Sequence, residues 1–221
     1  MSQLNVTTLK HESAGVDNIT LASNGSVGFG TNSPLNRLTT RATANTYAGG
    51  NLSLESVGGA NATYFAQTTP GDFYISNGGG ADHIKLDSAG RVTMPYQPAF
   101  KAGRTTGHVS ATTTVVFPSV IFNTGNHYNS SNGAFTTPIA GRYLFTTGLF
   151  SVSGTSVYTE IRVNGSHVAW TIYTGSGYGT ANHSVILNLS ANDIVTVVVS
   201  GGQLYAAGST SDCYFSGILL G

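Results

Sequence analysis

The sequence predicts an all-β protein, and three observations carry the prediction. Only 8% of the 221 residues are charged, against ~25% in an ordinary soluble domain, so solubility must come from Ser, Thr, Asn and Gly. The 29 glycines and the wealth of Thr, Val and Tyr suit strands joined by tight turns. An internal repeat alternates apolar and polar residues with the two-residue period of a half-buried strand. Nine basic and nine acidic residues cancel, leaving no general field to attract nucleic acid or an anionic membrane. No apolar run is long enough for a spanning helix, so neither nucleic-acid binding nor membrane insertion is expected.

The start, Met1-Ser2-Gln3-Leu4-Asn5, lacks the basic flank and apolar stretch of a secretory signal, so export by that route is not expected. The single cysteine, Cys213, cannot form an intrachain disulfide. Its neighbours Tyr214 and Phe215 predict a small buried core residue rather than a reactive thiol. Nine N-x-[ST] sequons arise by composition in a chain so rich in Asn, Ser and Thr.

Aromatic residues set the domain organisation. From Tyr96 onward the chain holds sixteen of its 22, and the first 95 residues only six. Large rings supply much of a core's buried area, so residues 96–221 read as a self-sufficient domain and the N-terminal part as short of core. Within that part, Asp17-Asn-Ile-Thr-Leu-Ala-Ser-Asn-Gly25-Ser-Val27 recurs as Asp82-His-Ile-Lys-Leu-Asp-Ser-Ala-Gly90-Arg-Val92. Ile19/Leu21 and Ile84/Leu86 alternate with polar residues, and Gly25 or Gly90 takes the positive φ of a tight turn, so each copy predicts a hairpin. A lone hairpin is marginal in water, so these need neighbours on other copies of the chain. Oligomerisation follows from the shortage of core.

Gly28-Phe29-Gly30-Thr31-Asn32-Ser33-Pro34 reads as a turn-rich link, and Asn51–Leu54 and Phe73–Ser76 as short strands. Gly78-Gly79-Gly80 reads as a flexible joint, and Met94-Pro95-Tyr96-Gln97-Pro98 as an extended boundary near residue 96. Leu4, Val6 and Leu9 form a short alternating apolar set that no self-contained core claims, which marks residues 1–30 as an attachment segment. The expected division is therefore an attachment segment over 1–30, a β-rich shaft over 31–95 and a head over 96–221.

In the head, Phe117 is followed by Asn123, Tyr128, Phe135 and then Gly141-Arg142-Tyr143-Leu144-Phe145. This spacing resembles the signature of the complement C1q and tumour-necrosis-factor-like globular head, F-x5-[ND]-x4-aromatic-x6-F-x5-G-x-Y-x-F-x-[FY], with Thr147 standing where the last aromatic falls. Pro98-Ala99-Phe100, Asn192-Asp193-Ile194-Val195 and Phe215–Leu220 follow in family order. The residues themselves agree: Val115/Phe117 and Tyr143/Phe145 alternate inward, as the core of a two-sheet sandwich requires, and Asn164-Gly165 is a strong two-residue hairpin signal. The resemblance implies a jelly roll that assembles as a homotrimer, with ligands bound by loops at the exposed end or along subunit grooves.

The sequence holds no collagen-like G-X-Y repeat. Instead Ser26–Leu35 resembles the G-[IF]-G-T-x-x-P-x-x-x-L phrase of bacteriophage fibre proteins, and Thr8–Val27 resembles N-terminal attachment segments of phage structural proteins, cyanophages especially. These resemblances imply a trimeric virion fibre or adhesin, made in the host cytoplasm and docked through its N-terminus to other virion proteins. Its head would then recognise a host-surface polysaccharide or protein. A secreted C1q-like carbohydrate- or protein-binding module carried on no virion and a trimeric surface-glycan depolymerase are the alternatives.

No catalytic set stands out. Three Glu and six Asp form no acid/base motif, the six His show no H-x3-H spacing, and no G-x-S-x-G elbow occurs. No cofactor or metal is expected, because Asp193 and Asp212 sit in no calcium loop; Asp193 reads as a turn residue, as do Asp17, Asp82 and Asp87. Recognition is expected on the loops carrying Trp170, Tyr173, Tyr178 and Tyr205, whose Gly- and Ser-rich surroundings suit adaptable contacts around rigid aromatic anchors and stacking on sugar rings. Packing of the same tyrosines at a subunit interface is the competing reading.

Overall fold

The computed structural model describes residues 7–9, 19–23, 26–29, 31, 38–40, 52–55, 62–67, 71–77, 81–206, 208, 210 and 212–221. The chain divides into two compact units, Met1–Pro95 and Tyr96–Gly221. Every regular element is a strand among the described residues.

In the first unit, β1 (Thr8–Leu9), β2 (Ile19–Leu21), β3 (Val27–Phe29) and β4 (Leu38–Thr40) form one sheet in chain order. The first three are antiparallel neighbours, and β4 runs parallel to β3. A second sheet is an antiparallel meander of β5 (Leu52–Glu55), β6 (Ala62–Gln67), β7 (Phe73–Asn77), β8 (Ala81–Leu86) and β9 (Val92–Thr93). Both repeat copies are hairpins: Leu21 pairs with Val27, and Leu86 with Val92. In the second copy Gly90 takes a φ of +83°. Asp87 closes its turn by accepting the N–H groups of Ala89 and Arg91, each at 2.9 Å, and the Arg91 Nε–H at 2.7 Å. Gly25, Asp17 and the Gly78–Gly80 joint lie outside the described residues. The link expected from Gly28 starts later, because Gly28 and Phe29 belong to β3, where pairing with Thr20 and Ile19 overrides the turn preference of glycine.

The second unit is the jelly-roll sandwich. Its strands are β10 (Ala99–Gly103), β11 (His108–Ser110), β12 (Thr113–Thr114), β13 (Ser119–Thr124), β14 (Tyr128–Asn129), β15 (Ala134–Thr136), β16 (Gly141–Gly148), β17 (Val157–Val163), β18 (Ser166–Tyr173), β19 (His183–Leu189), β20 (Ile194–Gly201), β21 (Gln203–Tyr205) and β22 (Tyr214–Leu219). One sheet has the order β13-β10-β22-β16-β19, and the facing one β14-β15-β20-β17-β18 with β12 also on β20. β11 and β21 form a separate two-stranded ribbon.

The residues of the C1q-like signature make the core between the sheets. Phe117, Phe135, Tyr143 and Phe145 are fully buried together with Phe100 and Phe215. Phe100 stacks on Tyr128 at 4.8 Å and on Phe135 at 4.9 Å. Burying rings of this size supplies ~1.5–3 kcal/mol each, which is why the motif specifies a fold. Asn123 is polar for a separate reason: its carboxamide accepts the Tyr128 N–H at 3.1 Å and donates to the Tyr128 carbonyl at 2.8 Å. The Tyr128 hydroxyl donates in turn to the Phe117 carbonyl at 3.1 Å, and burial pushes its pKa up to about 12. Asn164 and Gly165 take φ of +51° and +84°, the mirror-image turn the Asn-Gly pair specifies between β17 and β18.

Candidate functional site

The second unit offers two surfaces, a loop cluster and a sheet face. The loop cluster is built by the β11–β21 ribbon and the connections after β16 and β18. Within the ribbon His108 pairs with Tyr205, Val109 with Leu204 and Ser110 with Gln203. Val109 and Leu204 are buried, so alternation turns His108, Ser110, Gln203 and Tyr205 to the opposite face. There the His108 ring meets Tyr205 edge-on at 5.5 Å, and Gln203 donates to the Ser110 hydroxyl at 3.2 Å. Tyr178 reaches the same place from the β18–β19 connection. Its ring stacks on Phe150 at 5.6 Å with 13° between planes and lies 5.7 Å from Tyr205. Tyr178 nevertheless stays 58% exposed.

The four aromatic residues expected to recognise a ligand thus have different positions. Tyr178 and Tyr205 come together, joined by Phe150 and His108, which sequence reading did not single out. Tyr173 organises the loop instead: its hydroxyl lies 3.2 Å from the carbonyl oxygens of both Gly177 and Tyr178. A side chain at Gly175 or Gly179 would collide with its ring. Trp170 sits within β18 opposite Glu160, 63% exposed. Glu160 is held below the usual carboxylate range by the hydrogen bond from Arg162 Nε at 2.7 Å. Leu9 is exposed on β1, while Leu4 and Val6 lie outside the described residues.

Beside the ribbon, Arg104, His108, Ser110, Thr113 and Thr114 line a cleft of about 330 Å³. Arg104 donates from one terminal nitrogen to the Val116 carbonyl at 3.1 Å. Its Nε is buried without a hydrogen-bond partner among the described residues. Cys213, whose carbonyl accepts the Arg104 N–H at 2.8 Å, is buried, its thiol 3.2 Å from the Tyr205 carbonyl and its pKa raised by desolvation.

The sheet face is the outer side of β13-β10-β22-β16-β19. Ile186, Leu144, Ile218 and Ala99 are successive partners across four of its strands, forming an apolar row. Ile186 is 59% exposed, and Ile218, Phe122 and Leu220 are also exposed. Phe122, Leu144, Thr146 and Ile218 line a shallow groove of about 180 Å³ there. The same strands carry Tyr143, Phe145, Leu187 and Phe215 on their inner side, so this sheet is apolar on both faces.

Of the acids expected at turns, Asp87 and Asp193 serve them, whereas Asp82 lies within β8 opposite Ser76, where strand pairing takes it, and Asp17 is outside the described residues. Asp193 accepts from the Asn164 side chain and from the Ser190 N–H, each at 2.8 Å. Among the described residues no three His, Cys, Asp or Glu side chains gather to hold a metal. No helix there is long and apolar enough to cross a membrane.

The two-sheet sandwich, with the signature aromatics packed between its sheets, defines a jelly-roll head. The C1q domain family model matches residues 99–220, and the chain belongs to that family. The human complement C1q and tumor necrosis factor-related protein 9B is 30% identical over 113 residues, covering 48% of this chain and 33% of the relative. The mouse complement C1q tumor necrosis factor-related protein 7 is 27% identical over 132 residues, covering 58% and 45% respectively. The chain therefore spans between a third and a half of the length of these relatives. Among solved structures, the globular domain of zebrafish complement 1qA is 16% identical with a TM-score of 0.48, covering 57% of this chain and 98% of that one.

These matches correct one expectation. The N-terminal phrases implied a virion, yet the relatives are human and mouse proteins related to complement C1q and tumor necrosis factor, and the phage-fibre reading finds no support. The physical reason lies in the phrases themselves. Thr8–Val27 and Ser26–Leu35 are short and rich in the Gly, Ser, Thr and Asn that any tightly turning strand segment uses. Their described residues include β1, β2 and β3, of which β2 and β3 pair as a hairpin.

Proposed function

We propose that the chain is an extracellular, non-catalytic recognition module that works as a homotrimer, with the β13-β10-β22-β16-β19 face as the subunit interface and the aromatic loop cluster as the ligand-facing surface. The observation that carries the reading is the in-register row Ile186, Leu144, Ile218 and Ala99, left uncovered in the single chain. A sheet apolar on both faces is normally covered on both. Each Å² of apolar surface removed from water contributes ~25 cal/mol, so a second and third copy have a driving force to pack there. Membership of the C1q domain family supports the binding role, and a cyclic assembly closes the interface without leaving an open filament. Multi-angle light scattering on the full chain tests it. A trimer that dissociates on Ile186→Asp with Ile218→Asp supports the interface. A monomer at micromolar concentration overturns it.

A further inference from the structure

We infer that the Arg104 cleft and the Phe150–Tyr178–Tyr205 cluster form one site for a carboxylated sugar, a uronate-type residue. The inference deepens the recognition reading above and rests on it.

His108 joins the two halves, since it lines the cleft and also presents its ring to Tyr205 at 5.5 Å. On one side the ligand would meet an exposed aromatic plane, the Tyr178 ring backed by Phe150 at 5.6 Å. A pyranose offers an apolar C–H face that packs on such a plane, and Tyr contributes contact area at low entropic cost. On the other side lie the hydroxyls of Ser110, Thr113 and Thr114, which can donate to or accept from sugar hydroxyls.

Charge selects the acid over a neutral sugar. Arg104 spends one donor on the Val116 carbonyl, and its Nε has no partner among the described residues. The Nε itself is sealed from solvent, but Arg104 lines the cleft, and a carboxylate there can accept from the terminal edge of the guanidinium with a charge-assisted match. Among the described residues no carboxylate lines the cleft to compete for that edge. The cleft volume of about 330 Å³ lies at the lower end of small-ligand pockets.

Calorimetric titration of the full chain with trigalacturonate and with its fully methyl-esterified form tests the site, because the ester keeps the sugar faces and removes the charge. The acid should bind at least tenfold more tightly than the ester. Arg104→Gln should abolish that preference, Arg104→Lys should keep part of it, and Tyr178→Ala should weaken both ligands by a similar factor. Equal binding of acid and ester, an undiminished preference in Arg104→Gln, or no binding of the acid at millimolar concentration overturns the inference. Light scattering on the same samples separates the two readings. A trimer without acid binding sinks only the uronate site, whereas a monomer sinks the assembly beneath it.

Discussion

The Thr147 hydroxyl accepts the backbone N–H of His183 at 3.0 Å, and the two residues are partners across the β16–β19 ladder. The His183 ring continues the chain of contacts, its Nε2 lying 3.0 Å from the Thr159 hydroxyl on β17 in the facing sheet. Both threonines and the histidine are buried. Thr147 stands where the C1q signature has an aromatic ring, so a polar cluster joins the sheets at a point where a ring would otherwise fill the core.

This cluster makes stability depend on pH. Burial holds the His183 pKa below its ordinary value of 6.5, so the unfolded chain binds that proton more readily than the folded one. The sign follows: the contribution is fully present above about pH 6.5 and is lost as the pH falls through the lowered folded value. The melting temperature should drop between pH 7 and pH 5, with a slope of at most ~1.4 kcal/mol per pH unit for one proton. His183→Gln should flatten that part of the profile. The paired carboxylates Asp72, Asp87 and Glu160 also have lowered pKa values, but they act in a separate, more acidic window, as their partners' hold is lost below the carboxylate range.

Gly217 is fixed by its neighbours rather than by its backbone angle. A Cβ built there would lie 2.7 Å from ring carbons of both Phe100 and Phe145, which are fully buried and cannot step aside. Gly217→Ala should therefore destabilise the second unit by ~1–3 kcal/mol, the usual cost of overpacking. Urea denaturation should show a lower midpoint with an unchanged slope.

Much of this core is readable from the sequence, because the spacing from Phe117 to Phe145 lists aromatic residues that pack between the sheets, Phe117 from the β12–β13 connection and the others from strands, and Asn164-Gly165 can close only a narrow set of turns. The repeat is readable for the same reason, as Leu21/Val27 and Leu86/Val92 flank a turn. The outer apolar row is not. Val185-Ile186-Leu187 and Gly217-Ile218-Leu219-Leu220 run apolar without alternating, and a search for a two-residue period counts their inward members and passes over Ile186 and Ile218. An uninterrupted apolar run was the available signal. His108 and Phe150 were invisible for another reason: each meets Tyr178 or Tyr205 only through tertiary packing, across some thirty to a hundred residues of chain. Arg104 carries no local motif at all.

Asn123 is the polar member of the signature, and its role is local. Its side chain pairs with both the N–H and the carbonyl of Tyr128, imitating a backbone strand partner at the turn between β13 and β14. Asn123→Ala leaves both groups without that partner and should cost ~1–3 kcal/mol, the penalty for stranded polar groups. Asn123→Asp should cost part of this, since a carboxylate can still accept the Tyr128 N–H but cannot donate to its carbonyl. Thermal melts of the two variants beside the wild type measure the order.

The second unit should fold without the first. Its hydrophobic cluster is drawn wholly from residues between Phe100 and Leu219 and includes every fully buried aromatic ring among the described residues. Expressed alone, residues 96–221 should retain cooperative melting, and because the Ile186–Leu144–Ile218 row belongs to the same fragment, light scattering should still report a trimer. Residues 1–95 present the opposite balance. Leu21, Phe29, Phe73 and Leu86 are exposed there, and the buried set includes polar side chains such as Thr20 and Ser76 whose hydroxyls have no hydrogen-bond partner among the described residues. Sheets that leave these four apolar side chains in water while burying hydroxyls lack the driving force to fold in isolation. Circular dichroism of residues 1–95 should show weak, non-cooperative unfolding. A sharp thermal transition in that fragment would mean that its hairpins bury more apolar surface than the single chain displays.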